Sequence, residues 1–218
     1  WCSFPDPHHP MTPPGDWFDR HKPSDMEIPT TSLDSGADCF EHLRRFRQIH
    51  PRDQRDWVSP CGSGSNMLVQ EAIAATYGMV EMIDDAVGRI LDHLDRTDQR
   101  GNTIIVFTSD HGDMMGDHGL MLKGFMHYRG TLHVPMVISV PGQKPNRTAA
   151  LASSIDLGPT LMEICGIQGY DGIQGYSLNP LIQDATASVR ESVLIEDDIA
   201  PVVASLTPIP AKTRTVIT

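Results

Sequence analysis

The stretch Ile104-Ile105-Val106-Phe107-Thr108-Ser109-Asp110-His111-Gly112-Asp113 decides how this chain is read. Its four apolar residues are all β-branched or aromatic and predict a fully buried strand. Gly101 and Asn102 precede it and supply a turn. The strand runs straight into Asp110, His111 and Gly112. In open α/β sheets the carboxyl ends of the strands are where ligands bind. A carboxylate beside an imidazole at such an edge can hold a divalent ion, and the neighbouring glycine lets the backbone turn sharply. Lys123 follows, behind a loop containing Gly116, Asp117, His118 and Gly119. A lysine reaching back over a metal site suits an anionic substrate. Asp, His and Gly after a strand are also ordinary loop composition, so the pair alone does not separate a metal site from a solvated loop.

Upstream, Val69, Ile73, Thr76, Val80, Ile83, Val87, Ile90 and Leu94 step by four and three, predicting one long helix from about Asn66 to Asp95. Gly78 and Gly88 would each weaken it by roughly 1 kcal/mol relative to Ala, which points to close packing against the sheet. The acids Asp84 and Asp85 read as solvated mid-helix positions. A shorter helix is predicted over Asp38 to His50, stopped by Pro51. At the start, Trp1 to Phe4 reads as the end of a strand. Pro5-Asp6-Pro7-His8-His9-Pro10-Met11-Thr12-Pro13-Pro14-Gly15 then forbids helix and central strand, making a stiff loop that fixes two histidines.

Downstream, Val134 to Val140 is a second buried strand. A helix is predicted from Asp156 as N-cap through Ile164 to Gly166, with Pro159 tolerated in its first turn. Leu178 to Ile182 reads as one helical turn, and Ser192–Glu196, Val202–Leu206 and Thr213–Thr218 as strands. The alternation predicts an α/β class, a largely parallel sheet flanked by helices.

At 218 residues there is ample material for a core, and the 39% hydrophobic and 21% charged shares are those of a globular protein. A net charge of −11 argues against a nucleic-acid partner, since phosphate backbones require an excess of Lys and Arg. No apolar run reaches transmembrane length. Cys2, Cys39, Cys61 and Cys165 are widely spaced and read as free thiols rather than a disulfide pair. Both ends read as cut strands, so the chain is expected to be an internal piece of a longer protein.

The string Thr108-Ser109-Asp110-His111-Gly112-Asp113-Met114-Met115-Gly116-Asp117-His118-Gly119-Leu120-Met121-Leu122-Lys123 resembles the second metal-binding signature of the sulfatases, within the alkaline phosphatase superfamily. Ser3-Phe4-Pro5-Asp6-Pro7-His8-His9-Pro10 is similar to the family segment that carries an active-site histidine; His8 is the matching position and His9 the variable one. Tyr77 to Gly88, Tyr128 to Gly142, Ser154 to Leu161 and Gly175 to Leu178 are similar to successive family segments. The resemblance covers nearly the whole chain. It implies the carboxyl-terminal part of an alkaline-phosphatase-like catalytic domain over residues 1–190, and strands leading into a truncated subdomain over 191–218.

What the resemblance implies chemically is hydrolysis of a sulfate ester, on a small molecule or a sulfated glycan. Asp110 and His111 would be two ligands of a divalent metal, Ca²⁺ by family, with Mn²⁺ or Zn²⁺ weighted by the imidazole. Lys123 would bind a sulfate oxygen, and His8 would bind sulfate or protonate the leaving oxygen. The family's nucleophile is a formylglycine made from Cys or Ser in a Cys/Ser-x-Pro-x-Arg motif, which does not occur here. The early Asp-Asp pair and the arginine beside the nucleophile are absent too. These belong to the amino-terminal half, which is therefore the expected partner. A phosphate or phosphonate ester hydrolase of the same superfamily, and a non-catalytic module binding an anion or a partner, are the other readings.

Overall fold

The computed structural model describes residues 1–29, 66–123, 127–198 and 212–218. The helix expected over 38–50 and the strand expected over 202–206 lie outside the described residues. The chain forms two compact units that interleave in sequence. The first comprises Trp1–Arg100, His111–Val134 and Ala200–Ala211; the second comprises Gly101–Asp110, Pro135–Ile199 and Lys212–Thr218.

The first unit is built on α1, Asn66–Arg96, the long helix the periodicity predicts. Its buried apolar side chains are Val69, Ile73, Ala74, Ala75, Met79 and Ile83. Val80 and Ile90, expected on the buried stripe, are 49% and 40% exposed. Periodicity marks the apolar side of a helix, but the segments laid against it decide which part is covered. Here they cover the side of Met79 and thin out beyond Ile83. One such segment runs through 3₁₀ turns at Gly15–Trp17 and Pro23–Asp25. A Cβ on Gly78 would stand 2.1 Å from the Trp17 carbonyl oxygen. The close approach foreseen at Gly78 is therefore made by this segment and not by a sheet, and among the described residues a Cβ on Gly88 would meet nothing within 4 Å. Glu81 accepts from Arg20 at 3.0 Å and pairs with His21 at 3.1 Å, while Gln70 donates to the Met26 carbonyl at 2.8 Å. Trp1 to Phe4 forms no strand.

The second unit holds β1 (Ile105–Thr108) and, after the one-turn helix α2 (Arg129–Leu132) of the first unit, β2 (Met136–Ser139). It continues through α3 (Leu157–Ile164), α4 (Asn179–Gln183), β3 (Val193–Asp198) and β4 (Lys212–Ile217). The class is α/β, but the expected parallel arrangement is not what the described strands show. β1 pairs antiparallel with β2, Phe107 opposite Val137, and β3 pairs antiparallel with β4, Leu194 opposite Val216. A parallel neighbour needs a crossover, usually a full helix on the sheet face. Among the described residues the link from β1 to β2 carries a 3₁₀ turn at Asp117–Gly119 and α2, and the chain returns in the opposite direction. Nor is β1 fully buried. Phe107 of β1 is 41% exposed, and its partner Val137 on β2 is 58% exposed.

The core of this unit is organised by a buried acid. Ser153 and Asp156 form a capping box, each side chain meeting the other's backbone, and start α3 through a 3₁₀ turn. Asp156 Oδ2 accepts the Ser153 N–H at 2.8 Å, and Oδ1 accepts the Tyr176 N–H at 2.8 Å and the Arg190 guanidinium. Thr160 donates to the Asp156 carbonyl at 2.5 Å and accepts from Leu178 N–H at 2.8 Å. The arginine also lies over the Tyr176 ring, 4.9 Å from its centre. Among the described residues Cys2 and Cys165 are free thiols; Cys39 and Cys61 lie outside them.

Candidate functional site

The loop that follows β1 is folded by its own backbone. Met114 N–H donates to the Leu122 carbonyl at 2.7 Å, Gly116 N–H to Leu120 at 2.8 Å, and Asp117 N–H to Met114 at 2.7 Å. Closing so tight a loop forces Met115, Gly116, His118 and Leu122 to positive φ, at 44°, 92°, 51° and 62°. Such angles cost a non-glycine residue about 1–3 kcal/mol and persist where surroundings over-determine them. Here Met114, Leu120 and Leu122 are buried. At its start the loop crosses the α2 segment at van der Waals contact. Gly112 N–H donates to the Thr131 carbonyl at 2.8 Å, and a Cβ on Gly112 would stand 2.0 Å from the Gly130 carbonyl oxygen. A Cβ on Gly130 would stand 3.1 Å from the Asp113 carbonyl oxygen.

Three of the four sequence-derived site residues, His8, His111 and Lys123, lie in the first unit, and Asp110 closes a segment of the second. His111 is exposed, with Nδ1 2.9 Å from the Gly112 carbonyl oxygen. A carbonyl only accepts, so Nδ1 carries the proton and the neutral ring has its lone pair on Nε2. That is the tautomer a metal-ligating imidazole needs. Asp110 is exposed and accepts from the Ser109 hydroxyl at 3.4 Å. The histidines of the proline loop are exposed and stacked, ring centres 4.0 Å apart. His8 Nδ1 donates to the His9 carbonyl at 2.7 Å, so its Nε2 is the nitrogen presented for chemistry.

The sequence reading missed Asp113 and passed over His9. Asp113 Oδ1 is buried and has no hydrogen-bond partner among the described residues. An orphaned acceptor of this kind costs about 1–3 kcal/mol. Burial pushes the Asp113 carboxyl above the usual carboxylate range, against the opposing pull of the Lys123 charge, the Met115 and Met114 N–H groups and His9. The half-buried Lys123 and the exposed His9 both bear electrostatically on this acid. Nothing local in Gly112-Asp113-Met114 announces that burial; the only sequence signal is a third acid inside the metal-signature string.

A carboxylate and an imidazole on consecutive residues are donor types that a divalent ion accepts. Among the described residues no group of three or more His, Cys, Asp or Glu gathers to hold one. A sulfatase family profile matches residues 2–167.

The chain belongs to the sulfatase family. Its string from Asp110 to Lys123 and its loop around His8 both fall inside the match. This sulfatase chain is 32% identical over 198 residues to an arylsulfatase of Clostridium perfringens, covering 88% of this chain and 38% of that protein. It thus spans about two-fifths of that relative's length. A phosphonate monoester hydrolase from Silicibacter pomeroyi superposes with a TM-score of 0.79 over 96% of this chain and 44% of that one, at 24% identity, and so shares the fold. A protein solved with its substrate D-glucosamine-2-N,6-O-disulfate superposes with a TM-score of 0.59 at 27% identity, covering 64% of this chain and 29% of that one. Among the described residues no helix is long and apolar enough to cross a membrane.

Proposed function

We propose that this sulfatase chain supplies part of the active site of a sulfuric ester hydrolase, the part that binds the sulfate group and two positions of a divalent metal. Asp110 and His111 would hold the ion, Ca²⁺ by family, with Mn²⁺ or Zn²⁺ suited to the imidazole. When bound, the ion polarises the sulfate oxygens and favours attack on sulfur. Lys123 binds a sulfate oxygen. His8 presents Nε2 to the leaving oxygen, its Nδ1 proton being held by the His9 carbonyl. The nucleophile, a formylglycine by family, is carried by a segment outside these 218 residues, as no Cys/Ser-x-Pro-x-Arg occurs in them. A sulfated sugar is the substrate class the glucosamine disulfate complex of a relative supports.

The observation that carries this reading is the fold of the Asp110–Lys123 loop within a chain of this family. What supports it is that His111 Nδ1 donates to the Gly112 carbonyl, leaving Nε2 for a ligand in the neutral ring, and that Lys123 closes the same backbone-bonded loop. Without an activated nucleophile, binding the ground state lowers no chemical barrier. The purified chain should therefore give no sustained turnover of an aryl sulfate, and adding the amino-terminal half should restore it. Turnover by the chain alone, lost in Lys123→Ala or His8→Ala, would place the whole chemistry here. Restored activity on aryl phosphonate but not aryl sulfate would favour the phosphonate ester reading, and no activity on either would leave a binding module.

A further inference from the structure

We propose that His9 is a positioning residue for His8, its ring stacked on the His8 imidazole so that Nε2 is held toward the leaving oxygen. This rests on the reading of His8 as the group that serves that oxygen. The two ring centres lie 4.0 Å apart, with their planes 29° from parallel. Side chains of consecutive residues in an extended strand point to opposite faces. Here the chain bends over residues 6–10. The His8 N–H closes a turn onto the Pro5 carbonyl at 3.2 Å, and the Thr12 N–H donates to the Pro10 carbonyl at 2.9 Å. Pro7 and Pro10, on either side of the pair, have fixed φ, so the backbone that carries both rings is stiff.

Backbone stiffness does not by itself fix the imidazole. The outer torsion of a histidine side chain is broad and roughly two-fold, so an exposed ring turns over and exchanges Nδ1 for Nε2. His8 is exposed, so burial does not hold its ring. Two contacts oppose the turn, and residue 9 supplies both. Nδ1–H of His8 donates to the His9 carbonyl at 2.7 Å, and the His9 ring lies against one face of the imidazole. A free imidazole side chain favours the Nε2–H tautomer, so the Nδ1–H form is one that this loop imposes. A single hydrogen bond in reach of water is a weak restraint. The stacked ring adds to it and restricts the rotamers of His8 before substrate arrives. When Nε2 gives its proton to the leaving oxygen as the S–O bond breaks, the ring keeps Nδ1–H and stays bonded to the same carbonyl.

The experiment uses the whole chain and variants at this exposed position, with melting temperatures showing that they are folded. Long-range proton–nitrogen correlation spectra report the His8 tautomer. They are taken above the histidine titration and assigned by the loss of the His8 signals in His8→Gln. His8 should be mainly Nδ1–H in wild type and in His9→Phe, which keeps a stacking ring. It should pass mainly to Nε2–H in His9→Ala, which keeps only the carbonyl. An Nε2–H ring in wild type, an unchanged tautomer in His9→Ala, or a His9→Phe that behaves as His9→Ala would each overturn the proposal. The second readout is turnover of aryl sulfates after the amino-terminal half is added. His9→Ala should lower kcat severalfold for a phenol of high pKa and little for a nitrophenol, with KM unchanged, and His9→Phe should restore it. Equal losses for the two leaving groups would reject positioning of an acid. If His8→Gln itself shows no dependence on the leaving group, the reading of His8 fails, and the tautomer spectra still decide whether His9 positions its ring.

Discussion

At the scale of single residues the site is governed by where protons and charges sit. The Asp113 carboxyl titrates above the usual carboxylate range because burial disfavours its charged form. The folded chain then holds this proton to higher pH than the unfolded chain does. Between the ordinary aspartate value and the raised one, the native state binds more protons, so stability falls as pH rises through that window. Replacing Asp113 by Asn removes the contribution. Urea melts of the metal-free chain across mildly acid pH should show a flatter profile for Asp113→Asn, with stability at neutral pH equal to or above wild type. A variant that falls with pH as steeply as wild type would show that another group sets the slope. Asp110, His111 and Lys123 are candidates named by the Thr108–Lys123 string, and His8 by the proline loop. The burial of Asp113 Oδ1 was not legible, because it belongs to the folded loop, in which Met114, Leu120 and Leu122 are also buried.

Elements were legible in proportion to how local their causes are. The helix α1 follows from an apolar period sustained over many turns, and α3 from its cap, with Gly166 at φ 67° ending it as expected. Strand direction has no such local cause. An apolar run is the same whether its neighbour runs parallel or antiparallel, and the missing crossover helix was not visible in the loop composition. The burial of Asp156 was likewise hidden, since an N-cap acid is ordinarily solvated. Its carboxylate is fully buried, and the Arg190 side chain is 10% exposed. Removing one partner of such a pair leaves an uncompensated buried charge and costs about 3–5 kcal/mol. Asp156→Ala should therefore destabilise the second unit by roughly that amount in chemical denaturation. Glu163→Gln, on the same helix but exposed, should leave it nearly unchanged. Equal losses in the two variants would mean that the buried network contributes little.

For the molecule as a whole, solution behaviour is set by two opposed features. The second unit turns Phe107 with Val137, and Leu194 with Val216, outward as opposed apolar pairs on short ladders. Such faces favour self-association. The net charge of −11 resists it at neutral pH. Light scattering of the isolated chain should thus rise with salt and with acidification toward zero net charge, and fall in a Phe107→Lys, Val137→Lys double variant. Scattering that ignores the double variant would locate association elsewhere.

The crossing of Gly112 under the Gly130 carbonyl has a consequence for redesign. Each glycine is dictated by a backbone that belongs to the other strand of the crossing, so neither loop is an independent module. Exchanging substrate preference between relatives by transplanting residues 109–123 alone would bring a foreign partner to an unchanged carbonyl at 2.0 Å. The transferable cassette is the pair, the Asp110–Lys123 loop together with the α2 segment, moved in one step.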